Sequence, residues 1–214
     1  MTRINRPLRI IFLILFGFCF SYKLYQTYQA DLFLDGIILF IIASAGLLIF
    51  FKTIFIDRKK FSKSRKLISY LPTFIGALLI LINIGLFYYL DNKKNSPSLI
   101  RGFNDGGFNG FLVDFKTDGS YVMANGSGLG QTYFYGKYTI NDSIITIDKY
   151  EIDNCIKSNK LVIRTENFYP KDSLDLLESK ANYITQIDKN GKEISKEFRF
   201  RITNDNRKKQ TEIK

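Results

Sequence analysis

The sequence predicts a membrane α unit followed by an all-β domain: three transmembrane helices, then an antiparallel β-meander closing into a small barrel or sandwich with one short helix. Three observations carry this. Three long apolar runs crowd the first ninety residues, and after Leu90 the chain turns polar and stays polar to Lys214. From Phe111 onward apolar and polar residues alternate with period two, the mark of strands with one buried face.

The apolar runs cover residues 10–25, 32–56 and 67–90. Each approaches or exceeds the ~20 residues, rising ~1.5 Å apiece, that a helix needs to cross a bilayer core. Charges orient them. Arg3, Arg6 and Arg9 precede the first run, and Arg58, Lys59, Lys60, Lys63, Arg65 and Lys66 lie between the second and third against the single Asp57. The link between the first and second runs holds only Lys23, Asp31 and Asp35. Basic residues in short loops stay cytoplasmic, so the amino terminus and the 57–66 loop are expected inside and the carboxyl domain outside. The first run ends in bulky residues through Phe20 rather than a small-residue cleavage site, so it reads as a retained helix, with Lys23 snorkelling outward. Small residues Ala43, Ser44, Ala45, Gly46, Gly76, Ala77 and Gly85 offer close helix packing, and Asn83 offers a hydrogen bond between helices. No charge interrupts the centre of a span, which argues against an ion pathway.

The net charge of +11 belongs mostly to this topology signal. Residues 1–90 hold eleven Lys and Arg against three acids, and the remainder twenty against seventeen, so the β part contributes only +3. No basic stripe marks the folded part, and no nucleic-acid partner is expected.

A linker rich in Gly, Asn and Phe spans 91–110, the β domain 111–203, and a polar basic tail 204–214. Candidate strands are 111–116, 120–124, 133–140, 143–150, 160–165, 183–188 and 193–202. Asp118-Gly119, Asn141-Asp142 and Asn190-Gly191 supply residues that tolerate positive φ at tight turns. Residues 172–180 read as a short helix capped by Asp172. The run Phe115-Lys-Thr-Asp-Gly-Ser-Tyr121 followed by Tyr135-Gly-Lys-Tyr-Thr-Ile-Asn-Asp-Ser-Ile-Ile-Thr-Ile147 resembles the repeated hairpins of lipocalin-like domains in bacterial envelope proteins. That resemblance covers about residues 108–165. It implies a non-catalytic barrel-like module and carries no site residues with it; three helices stand where the family usually has a lipoprotein anchor.

The chain has no histidine, which removes the commonest general base and neutral metal ligand. Cys19 lies in a span and Cys155 in the β domain, so they are not expected to pair. No carboxylate spacing forms a calcium loop, and Gly126-Ser-Gly-Leu-Gly130 leads into a strand rather than the helix a phosphate loop needs. No catalytic residue, cofactor or metal is therefore expected. Richness in Ile, Lys, Asn, Phe and Tyr is the bias of an AT-rich bacterial genome. The expected function is a bacterial inner-membrane protein whose outward domain binds a protein partner or small apolar ligand, as a toxin-immunity protein or accessory subunit of an envelope complex would. An envelope enzyme acting on lipid or cell wall is the alternative. Loops are likelier than strands to meet a partner. The candidate binding residues are accordingly Phe103 and Phe108, from a twice-repeated Gly-Phe-Asn unit, and Asn125, Ser127 and Leu129 in the glycine-rich loop.

Overall fold

A computed structural model describes residues 5–168 and 179–207 and divides into two compact units, residues 1–94 and 95–214. The first holds three apolar helices long enough to cross a membrane: α1 (Arg6–Gln29), α2 (Asp35–Ser64) and α3 (Leu71–Lys94). All three run past the carboxyl ends of the apolar runs that predict them. A helix continues past its hydrophobic stretch where good helix formers follow, as Arg58, Lys59, Lys60 and Lys63 do after Ile56. Pro72 sits in the first turn of α3, where its missing N–H removes no helical bond.

Polar contacts between helices sit at three levels of this bundle. Near one end Arg9 Nη1 meets Asp57 Oδ1 at 2.7 Å, with both side chains buried. Asp57 Oδ2 accepts from the Thr73 N–H at 3.2 Å and its hydroxyl at 2.8 Å, so one carboxylate joins all three helices. At mid-height Asn83 donates to Gly17 O and Leu79 O and accepts from Ser21 Oγ at 2.8 Å. At the other end Lys23, expected to snorkel, instead pairs with Asp35 at 2.6 Å. Glycines admit neighbouring side chains between these levels: a Cβ at Gly76 would lie 2.6 Å from Phe50, and one at Gly17 3.2 Å from Leu79.

The second unit is a closed antiparallel barrel of eight strands, consistent with a lipocalin-like fold. In chain order they are β1 (Ser98–Gly106), β2 (Asn109–Lys116), β3 (Ser120–Ser127), β4 (Gly130–Asn141), β5 (Ile144–Ile147), β6 (Lys160–Phe168), β7 (Ser179–Gln186) and β8 (Phe200–Asp205). Each pairs with the next, and β8 returns to β1 with Gly102 opposite Ile202. Closure, rather than a sandwich, removes the sheet edges. The expected turns hold: Gly119, Asp142 and Gly191 all have positive φ.

Several expectations need correction. β1 lies inside the stretch read as a linker. The last strand starts at Phe200 rather than residue 193, because 187–199 folds as turns and bends, pinned by Arg199, whose Nε lies 2.6 Å from Glu193. β5 stops at Ile147 because the chain then dips inward. Asn204 and Asp205, assigned to the tail, belong to β8, and Asn206 N donates to Leu99 O at 2.8 Å. The short helix expected at 172–180 lies outside the described residues, apart from Ser179 and Lys180, which begin β7.

The barrel interior is filled. Ile100, Val113, Phe115, Tyr121, Met123, Ile145, Leu161, Ile184 and Phe200 are essentially fully buried, and Phe115 and Tyr138 pack edge to face at 4.9 Å. An eight-stranded barrel is just wide enough for side chains to do this. The 148–159 connection closes one end: Ile152 and Ile156 bridge each other and join the core, around a tight turn in which Asp153 and Asn154 both have positive φ. Buried Gln186 holds it there, accepting from Lys157 N at 2.7 Å and donating to Cys155 O at 2.6 Å.

Candidate functional site

Strand direction alternates around the barrel, so the β1–β2 and β3–β4 hairpins and the 148–159 and 187–199 connections emerge at the same end. The β1–β2 hairpin turns through Gly107 and Phe108 between the paired Gly106 and Asn109. Gly107 has φ +82 and Phe108 does not share the left-handed region, the pattern of a type II′ turn. Asp105 Oδ1 accepts from Gly107 N at 2.9 Å and fixes the tip. Phe108 is thrust outward, 78% exposed. The adjacent β3–β4 hairpin turns through Gly128 and Leu129, with Ser127 Oγ accepting from Leu129 N at 3.3 Å and Leu129 largely exposed.

Strand parity decides where the remaining candidates point. Gly102 faces the core, where an added Cβ would lie 3.2 Å from Phe200 and Val113, so Arg101, Phe103 and Asp105 face out. The Phe103 ring lies across Gly110, leaving no room for a Cβ there and shielding the bare backbone of β2. Phe103 therefore lies on the outer wall and does not plug the barrel.

Phe103, Phe108 and Ser127 together line an outer depression of about 410 Å³, with Arg101, Asp105 and Gln131 on its margin. Leu129 stands at the neighbouring hairpin tip and does not line it. Asn125 is turned the other way, and its amide donates to the Asp153 carboxylate of the inserted turn. Sequence reasoning missed Arg101, Asp105 and Gln131. The first two carry a signal, since 101, 103 and 105 share one face of any strand through that segment.

Several other barrel groups are tied up by partners or burial. Arg199 bonds Glu193 through two nitrogens and reaches Glu166 with a third; this holds Glu193 below the ordinary carboxylate range and raises Arg199. Burial, reinforced by the Asp153 and Glu197 carboxylates, pushes the Cys155 thiol up and keeps it protonated. Burial and the Asp148 carboxylate raise the Tyr121 hydroxyl. Among the described residues no three His, Cys, Asp or Glu side chains gather as a metal site. The arrangement offers surface recognition by exposed rings beside one cation and one anion.

No protein-family model, curated protein or solved structure matches this chain.

Proposed function

We propose that this chain is a non-catalytic, membrane-anchored binding protein of a bacterial envelope, and that its hairpin rim captures a protein partner. The amino terminus and the α2–α3 turn face the cytoplasm in this reading, from the asymmetry of basic residues, and the barrel lies on the outer side. The observation that carries it is the pairing of a packed interior with outward rings: Phe115, Tyr121 and Phe200 fill the space a small apolar ligand would use, while Phe103 on the outer wall and Phe108 at the rim face outward. Large rings held by a rigid scaffold lose little entropy on docking and make good contact centres. A toxin-immunity protein or an accessory subunit of an envelope complex would use such a surface.

Site-specific photocrosslinking tests the reading. A crosslinker at Phe108 in membranes of the source cells should trap a discrete protein, and one at Asp142, on a hairpin at the opposite barrel end, should not. Equal labelling from both positions, or none from either, overturns the rim as a docking surface. Reporters fused after Lys214 and near Lys63 test the orientation separately: the first should be active only outside the cytoplasm and the second only inside. Opposite activities reverse the placement.

A further inference from the structure

The six cations after Asp57 carry a role beyond orienting insertion. Asp57 is the only acid in that stretch, and its charge is consumed inside the bundle by Arg9 and Thr73, at 0% exposure. What remains outward is purely cationic: Arg58, Lys59, Lys60, Lys63, Arg65 and Lys66 are all exposed, and among the described residues none pairs with a carboxylate. The segment is helix rather than loop. α2 has 30 residues, ~45 Å of rise against a bilayer core of ~30 Å. From the Asp57–Thr73 contact, residues 58–64 project ~10 Å further, enough to cross a headgroup layer of about 5–8 Å.

The turn that follows is built to stay at that level. Arg65 ends α2 in the left-handed region at φ +53, its N–H bonded to Phe61 O at 2.7 Å, and a 3-10 turn, Leu67–Tyr70, leads back into α3. Ser64 and Ser69 hydroxyls meet at 3.0 Å across it. Leu67 and Ile68 are 74% and 57% exposed beside Arg65 and Lys66, and Tyr70 packs on Phe61 at 5.2 Å between ring centres. Cations, two exposed apolar side chains and an interfacial tyrosine together match a surface that holds lipid by charge and shallow insertion. The α2 carboxyl end adds its own partial negative charge, which keeps these cations favourable where they stand.

We propose that the α2–α3 turn is a binding platform for anionic phospholipid headgroups, with Lys59, Lys60 and Lys63 contributing half of its charge. It rests on the membrane-anchored reading above but not on the partner surface. Each cation near an anionic membrane surface contributes about fivefold in association.

The test uses purified full-length chain reconstituted into vesicles of phosphatidylcholine with a minor share of phosphatidylglycerol, then re-extracted in mild detergent to count co-purifying lipids. The parent should carry phosphatidylglycerol enriched about fivefold or more over the bulk ratio, and K59Q/K60Q/K63Q, which removes half of the turn's cations, should keep at most about half of that enrichment. K189Q/K192Q, which removes two exposed barrel lysines, should match the parent. Parent lipid at the bulk ratio, or a triple variant that keeps the full enrichment, overturns the proposal. So does displacement of the lipid by an equal phosphate concentration of duplex DNA, which makes the turn a general polyanion surface. A chain that fails to float with the vesicles refutes membrane anchoring instead, so the two failures are distinguishable.

Discussion

Replacing Asp57 by Ala should open the helical unit, and the structure allows the size of the effect to be worked out. The carboxylate serves Arg9 on α1 and, on α3, the first-turn N–H and the hydroxyl of Thr73, where a negative charge also meets the positive helix end. Its loss leaves Arg9 buried at 4% exposure without a counter-ion. Breaking one side of such a pair costs about 3–5 kcal/mol, most of it the stranded partner rather than the lost bond. Asp57→Asn, which keeps an acceptor for Thr73 but no charge, should fall between that value and the parent. Arg9→Leu with Asp57→Leu removes both charges and should recover to within about 1 kcal/mol of the parent or exceed it, because an apolar pair avoids the desolvation penalty. The chain has no tryptophan, so unfolding in mild detergent is best followed through the far-UV helical signal. If the single substitution costs less than about 1 kcal/mol, or the two single effects merely add in the double variant, Asp57 does not clamp the bundle.

Phe103→Ala with Phe108→Ala should weaken partner capture while leaving barrel stability within about 1 kcal/mol, whereas Phe200→Ala, at 0% exposure, should cost about 3–5 kcal/mol; capture that tracks only the folded fraction would reassign the rim rings to structure. Gly136→Ala should destabilise the barrel by about 1–3 kcal/mol, since the new methyl meets the Tyr121 hydroxyl and the Asp148 carboxylate; an unchanged melting point would mean those groups give way freely. Burial, helped by the Asp118 and Asp114 carboxylates, pushes the Tyr138 hydroxyl from its ordinary 10 up to about 12, and it donates to Lys116 O at 2.7 Å. A raised acid is neutral in the fold, so its contribution is intact below about pH 10 and is lost as pH rises toward 12, by up to about 1.4 kcal/mol per pH unit. Tyr138→Phe should flatten that alkaline slope in a denaturation series, and an unaltered slope would remove Tyr138 as its source.

The parts of this fold that were legible in the sequence are those decided by near neighbours. Span length needs only a count of apolar residues, and Asp118-Gly119 announces its turn through the backbone angles it tolerates. The β2–β3–β4 meander follows from alternation alone. Contacts between distant residues left no such trace. Arg9 and Asp57 are 48 positions apart and read locally as topology charges, although they are a buried pair. Ile152 and Ile156 flank a turn with no periodicity, and only the open barrel end explains why they are buried. At 193–199 the alternation is genuine but misleading. Arg199 there spends its hydrogen bonds on Glu193 and Glu166, which holds the segment as turns rather than as a strand beside β7.

The candidate site was half legible for a related reason. Four glycines between residues 102 and 110 look like linker composition, yet three of them sit at close approaches: Gly102 yields space to Phe200 and Val113, Gly106 to the Asn109 carbonyl, and Gly110 to the ring of Phe103. Once these glycines are understood as sites of close approach, β1 must be a strand, and its parity follows from the one residue that touches the core. Gly102 inside forces Arg101, Phe103 and Asp105 outside, and the type II′ turn at Gly107 then carries Phe108 past the rim. The exposed rings are therefore a consequence of barrel closure: the same Gly-Phe-Asn repeat that lets β1 pack against β8 also sets the aromatic surface on the outer wall.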